Sequence, residues 1–70
     1  METTFETIKK IVGDFELPCV AQNEYGEMII IDAGKDDEGC FFKLTTAQKN
    51  DWCRVEHFYE TGMMTETYEK

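Results

Sequence analysis

Residues 27–44, EMIIIDAGKDDEGCFFKL, restrict the fold of this chain more than any other stretch. Met28-Ile29-Ile30-Ile31 and Cys40-Phe41-Phe42 are short apolar runs, rich in β-branched or aromatic residues and bounded by glycine. Runs of that length and content form buried strands, whereas a helix needs about ten residues or more. Between them, Ala33-Gly34-Lys35-Asp36-Asp37-Glu38-Gly39 combines glycines with consecutive acids, the make-up of an exposed loop. The expected unit is a β-hairpin in the middle of a small sheet.

The flanks supply further elements. Thr3-Thr4-Phe5-Glu6 carries the Thr-x-x-Glu pattern, in which hydroxyl and carboxylate each satisfy a free N–H at a helix start. Phe5, Ile8, Ile11 and Val12 recur at helical spacing and Gly13 suits a helix end, so a helix is expected over about residues 4–12. Pro18 cannot donate to a ladder and marks a strand start or an edge. Cys19-Val20-Ala21-Gln22 then reads as a strand, and Asn23-Glu24-Tyr25-Gly26 as a turn. Strands joined by such short links pair as an antiparallel meander.

Two readings stand for the C-terminal third. Thr45-x-x-Gln48 is a second capping pattern, and a helix over about residues 46–60 with Gly62 as terminator satisfies it. Alternatively the helix stops after one turn at Lys49-Asn50-Asp51. Residues 52–59 and 63–68 are then strands joined by a turn at Thr61-Gly62. Asn50, Asp51, Cys53, Val55 and His57 are middling or poor helix formers, and Thr65, Thr67 and Tyr68 favour strand. The expected fold is α+β: an N-terminal helix packed on a small antiparallel β-meander with a C-terminal β-hairpin. A second helix in place of the hairpin is the alternative.

At 70 residues the chain is expected to be a single small domain, near the lower end of what folds unaided. Five Phe, three Tyr and one Trp supply a core that a disordered chain lacks. Fifteen acids against seven basic residues give a net charge of −8, which repels nucleic acid and anionic membrane and attracts basic surfaces. No apolar run approaches the roughly 20 residues of a membrane helix, and METTFETIKK lacks a signal peptide's basic start and apolar middle. The cytoplasm is the expected compartment. Three cysteines, an odd number without close pairs, are expected to be reduced thiols.

Cys19, Cys40, Cys53 and His57 match the ligand count of a structural zinc site, but no C-x₂₋₄-C pair is present to specify one. Buried cysteine is more often a plain small hydrophobe. His57, the one histidine, has Cys53 and Cys40 as possible nucleophiles to activate, yet so short a chain hardly accommodates a pocket, base, orienting group and oxyanion site together. Asp32, Asp36, Asp37 and Glu38 lack the register of a calcium loop, and the glycines fit no phosphate or dinucleotide motif. No cofactor and no enzyme activity are expected.

The acidity is the remaining signal. Its plain reading is solubility. Its sharper reading is an acidic face that offers Lys and Arg the same charge-assisted partners as phosphate does. Candidate partner-binding residues are Glu24, Tyr25, Asp36, Asp37, Glu38, Glu56, Phe58, Glu60, Glu66 and Tyr68, with the aromatics as anchors. In size, acidity and want of catalytic residues the chain resembles small inhibitors encoded by phages and mobile elements, anti-CRISPR proteins among them, some of which mimic nucleic acid. That resemblance is one of build and covers no motif. It implies a non-enzymatic inhibitor that docks an acidic face on a basic, nucleic-acid-handling protein. Alternatives are a structural or homodimeric module whose edge strand pairs with its own copy, and a zinc-stabilised domain.

Overall fold

A computed structural model describes residues 3–70. One helix, α1 (Phe5–Val12), precedes five strands: β1 (Cys19–Gln22), β2 (Met28–Asp36), β3 (Gly39–Ala47), β4 (Cys53–Tyr59) and β5 (Met64–Glu69). The strands form one antiparallel meander in the order β1-β2-β3-β4-β5, so the fold is α+β and mostly sheet.

Helix α1 lies where its apolar spacing puts it, with a different cap from the one expected. Thr4, not Thr3, is the N-cap, and Thr7 takes the reciprocal role assigned to a glutamate. Thr7 N donates to Thr4 Oγ1 (3.3 Å), and Thr4 N donates to Thr7 Oγ1 (2.7 Å). Ile8 and Val12 are buried against Ile31, Phe42, Leu44 and Phe58, and the Phe5 ring sits 4.7 Å from that of Phe42. Ile11, expected on the same stripe, is exposed.

The central hairpin is longer than its sequence suggests. The expected seven-residue loop is strand as far as Asp36, and Asp36 pairs with Gly39, leaving Asp37 and Glu38 as the turn. Gly34 is no breaker because the Phe41 ring lies over it: a Cβ there would approach Phe41 Cζ to 2.7 Å. An aromatic ring across from a strand glycine fills the missing side chain's space. Strand β3 likewise runs on through Thr45 and Thr46 to Ala47, and no helix forms at Thr45-x-x-Gln48. The alternative helix over about residues 46–60 is thereby corrected. Asn50 and Asp51, at φ +62° and +66°, form the β3–β4 turn instead, in a left-handed conformation those two residue types tolerate. The C-terminal hairpin is present as β4 and β5.

Register assigns the faces, because directly paired residues share a side and successive residues along a strand reverse it. One cross-sheet row is Cys19, Ile31, Leu44, Glu56 and Glu66, and the next is Ala21, Ile29, Thr46, Arg54 and Tyr68. A third is Ala33, Phe42, Phe58 and Met64. This is the face that carries α1, and its apolar residues from β1 to β3 form the core with Phe58. Along the rows the chemistry changes from apolar to polar or exposed at Glu56 in the first, at Thr46 in the second and at Met64 in the third. Strand β5 is exposed along its whole length.

Candidate functional site

Between α1 and the β4–β5 half of its face lies an open groove of about 550 Å³. Ile29, Leu44 and Phe58 line it from the sheet, Phe5 from the helix, and Met63 and Met64 from the last hairpin. Its charged lining is Glu24, Arg54 and Glu56. The β1–β2 turn places Glu24 and Tyr25 at the rim through a local network. Asn23 Oδ1 accepts from Tyr25 N and Glu27 N, each at 2.9 Å. Gln22 Nε2 donates to Gly26 O at 2.9 Å, closing the turn from its other side. Tyr25 is thereby 80% exposed at the tip of a well-tied turn.

The charged side of the groove comes from Arg54 and Glu56 of β4, with Glu66 of β5 paired to Glu56 beyond it. Tyr59 N donates to Met63 O and Gly62 N to Tyr59 O, which sets the hydrogen-bonding phase of the hairpin. Counting from that pair, His57–Thr65 and Val55–Thr67 exchange ladder bonds, whereas Phe58–Met64, Glu56–Glu66 and Arg54–Tyr68 do not. Glu56 and Glu66 therefore form the closer kind of antiparallel pair, with Cα atoms about 4.5 Å apart. Directly opposed like charges destabilise a sheet. Arg54 Nε stands 3.3 Å from Glu56 Oε1 and compensates that member of the pair, although its N–H is not aimed well enough to make a hydrogen bond. Glu66 receives the Tyr68 hydroxyl at 3.1 Å, and this contact raises the Tyr68 phenol above its usual pKa.

The expected partner-binding residues thus divide. Glu24, Tyr25 and Glu56 line the groove, and Glu66 and Tyr68 stand on β5 across the ladder from its lining residues Glu56 and Arg54. Phe58 is only 6% exposed and belongs to the core, and it lines the groove from the sheet. Met64, which the sequence reading passed over, takes the exposed apolar position in the same row. Its alternation with Glu66 and Tyr68 along β5 was the available signal.

Asp36, Asp37, Glu38 and Glu60 lie away from the groove, where the β2–β3 and β4–β5 turns meet and Glu60 N donates to Cys40 O. Asp36 is engaged there in structure. Its Oδ2 accepts from the Tyr59 hydroxyl at 2.7 Å and its Oδ1 from Glu38 N at 2.8 Å. The Tyr59 hydrogen bond, then that from Glu38, holds the Asp36 carboxyl below its usual pKa, and the same Asp36 contact raises Tyr59.

The four soft ligands are dispersed. Cys19 and Cys40 stand on the helix-bearing face, Cys53 and His57 on the other. Among the described residues no group of three or more His, Cys, Asp or Glu is placed to hold a metal ion, so the zinc alternative has no site. Cys53 and His57 are four strand rises apart, about 13 Å, too far for imidazole to activate the thiol. The His57 ring instead packs edge-on to Phe41, 4.8 Å between centroids. Among the described residues no helix is long and apolar enough to cross a membrane. Comparison with family models, curated proteins and solved structures finds no match to this chain.

Proposed function

We propose that the chain is a non-enzymatic binding protein that docks the groove and its acidic wall on the basic surface of a partner, of the kind that otherwise holds nucleic acid, and blocks it. The observation that carries this reading is the opposed Glu56–Glu66 pair toward the edge of the helix-bearing face, with Glu56 half-buried and Glu66 exposed. Its mutual repulsion is a standing cost to the folded chain, and an incoming Lys or Arg converts that cost into a charge-assisted contact. Tyr25, Met64 and Tyr68 flank the pair as exposed anchors, the residue types that interface centres favour. A net charge of −8 adds long-range steering toward a basic partner and away from nucleic acid itself. The inhibitor role, the mimicry of nucleic acid and a phage or mobile-element setting all belong to this proposal.

The test is capture from a bacterial lysate on the immobilised chain, elution by a salt gradient and identification by mass spectrometry. The expected result is a basic nucleic-acid-binding protein that elutes at raised salt, is displaced by added DNA and is lost from the Glu56→Gln/Glu66→Gln double variant. Capture that is indifferent to salt, to DNA and to both substitutions overturns the reading.

A further inference from the structure

The same hairpin that opposes the two glutamates leaves the end of the sheet open. In β5 the residues that exchange ladder bonds with β4 are Thr65, Thr67 and Glu69, so the N–H and C=O groups of Met64, Glu66 and Tyr68 point outward. Strand β5 is last in the sheet order, and all six of its residues are exposed. The other edge, β1, has four residues and follows directly on Pro18. Unpaired edge groups are a template for another strand.

From these observations we infer that the partner binds by strand addition: an extended segment pairs with β5 and places a Lys or Arg opposite Glu66. This deepens the acidic-face reading and rests on it. Residues opposite Met64, Glu66 and Tyr68 in an added strand project onto the groove side of the sheet, because paired residues share a face. A cation opposite Glu66 lies within reach of Glu66 directly and of Glu56 beyond it, whereas apolar neighbours meet Met64 and Tyr68. The main chain supplies affinity and the alternate side chains supply selectivity, as in other strand-addition complexes.

A second copy of the chain is the poorer occupant. A two-fold antiparallel pairing that joins the outward-facing groups of residues 64–68 over their whole length sets Glu66 against its own copy. Each copy also brings a charge of −8. The edge repels itself and suits a basic strand.

The experiment titrates the full ¹⁵N-labelled chain with the capped peptide Thr-Val-Thr-Lys-Thr-Val-Thr, whose Lys falls opposite Glu66 when its two Val lie opposite Met64 and Tyr68, and in parallel with its Glu-for-Lys counterpart. Amide exchange is followed for Met64, Glu66 and Tyr68, and affinity is measured for Glu66→Gln and Tyr68→Pro. Proline at an outward-facing edge position leaves the β4–β5 ladder intact and blocks the added strand. Slowed exchange at those three amides with the lysine peptide alone, about tenfold weaker binding by Glu66→Gln and loss of binding by Tyr68→Pro are expected. Lysine-peptide binding that depends on Glu66 but neither protects these amides nor responds to Tyr68→Pro overturns strand addition and leaves the acidic docking face standing. No discrimination between the two peptides overturns both.

Discussion

Replacing Glu66 by Gln should make the protein more stable while impairing the function proposed for it. The substitution keeps size and shape, and an amide oxygen still accepts from the Tyr68 hydroxyl, now 3.1 Å from the carboxylate. What it removes is the repulsion between Glu66 and the directly opposed Glu56. Two unit charges about 6 Å apart repel by about 0.7 kcal/mol at the dielectric of water. Arg54 cancels part of this through its 3.3 Å approach to Glu56, leaving a relief of about 0.5 kcal/mol, inside the range for cross-strand pairs. For a domain of this size that is a rise in Tm of about 2–4 °C. Any Glu→Gln change also lowers the magnitude of the net negative charge, so Glu69→Gln, whose partner across the ladder is Cys53, is the control. Thermal unfolding by circular dichroism in low salt should rank Glu66→Gln above Glu69→Gln and wild type. The advantage should vanish near 1 M salt, where screening acts over about 3 Å. A Glu66→Gln variant no more stable than the Glu69→Gln control, or one whose gain survives molar salt, refutes the opposed-pair reasoning. Stability gained together with binding lost is the expected signature of a site held ready for a cation.

Gly34→Ala puts a Cβ 2.7 Å from Phe41 Cζ and 3.0 Å from Cε1, and the ring is backed by His57 and Tyr59. Overpacking should outweigh the entropy gain and cost about 1–2 kcal/mol, a Tm drop of about 5–15 °C, and the double change with Phe41→Leu should restore most of it. An unchanged Tm contradicts the close approach. Tyr59→Phe removes one hydrogen bond that acts at both ends of the pH scale. Because Asp36 is lowered, its contribution is complete above the unfolded carboxyl value of about 3.9 and is lost as pH falls through the lower folded value. Because Tyr59 is raised, its contribution is complete below about pH 10 and is lost as pH rises through the higher folded value. The stability difference between wild type and Tyr59→Phe should therefore be largest at neutral pH and shrink in both acid and alkali, and a constant difference across pH contradicts the pairing. Thr46 is 1% exposed and its hydroxyl has no hydrogen-bond partner among the described residues. Thr46→Val should stabilise by up to about 1 kcal/mol in urea titrations, and a loss of stability shows that the hydroxyl is satisfied.

Much of this architecture was legible in the chain itself. Helix α1 was readable because Phe5, Ile8 and Val12 repeat at helical spacing over a span with no competing pattern. Strand β1 and the turns at Asn23–Gly26 and Thr61–Gly62 were marked by Pro18 and by glycines with positive φ at positions 26 and 62. The net charge follows from composition. Where local signals misled, a long-range contact had overridden them. Gly34 resembles a loop residue until Phe41 covers it, and the Thr45–Gln48 capping pattern competes with strand pairing from both β2 and β4.

The site itself was a tertiary decision. Nothing local to Glu56 or Glu66 shows that they face each other, because that depends on the length and phase of the turn between them. Nothing local to Phe58 shows that it is covered while Met64, its neighbour across the ladder, is open. That difference is set by how far α1 reaches. Eight residues make a helix about 12 Å long and about 10 Å wide, whereas five strands span about 19 Å from first to last. One short helix buries the face over β1–β3 with Phe58 and does not reach β5, so that Glu56 is half-buried on β4 and Glu66 stands exposed opposite it.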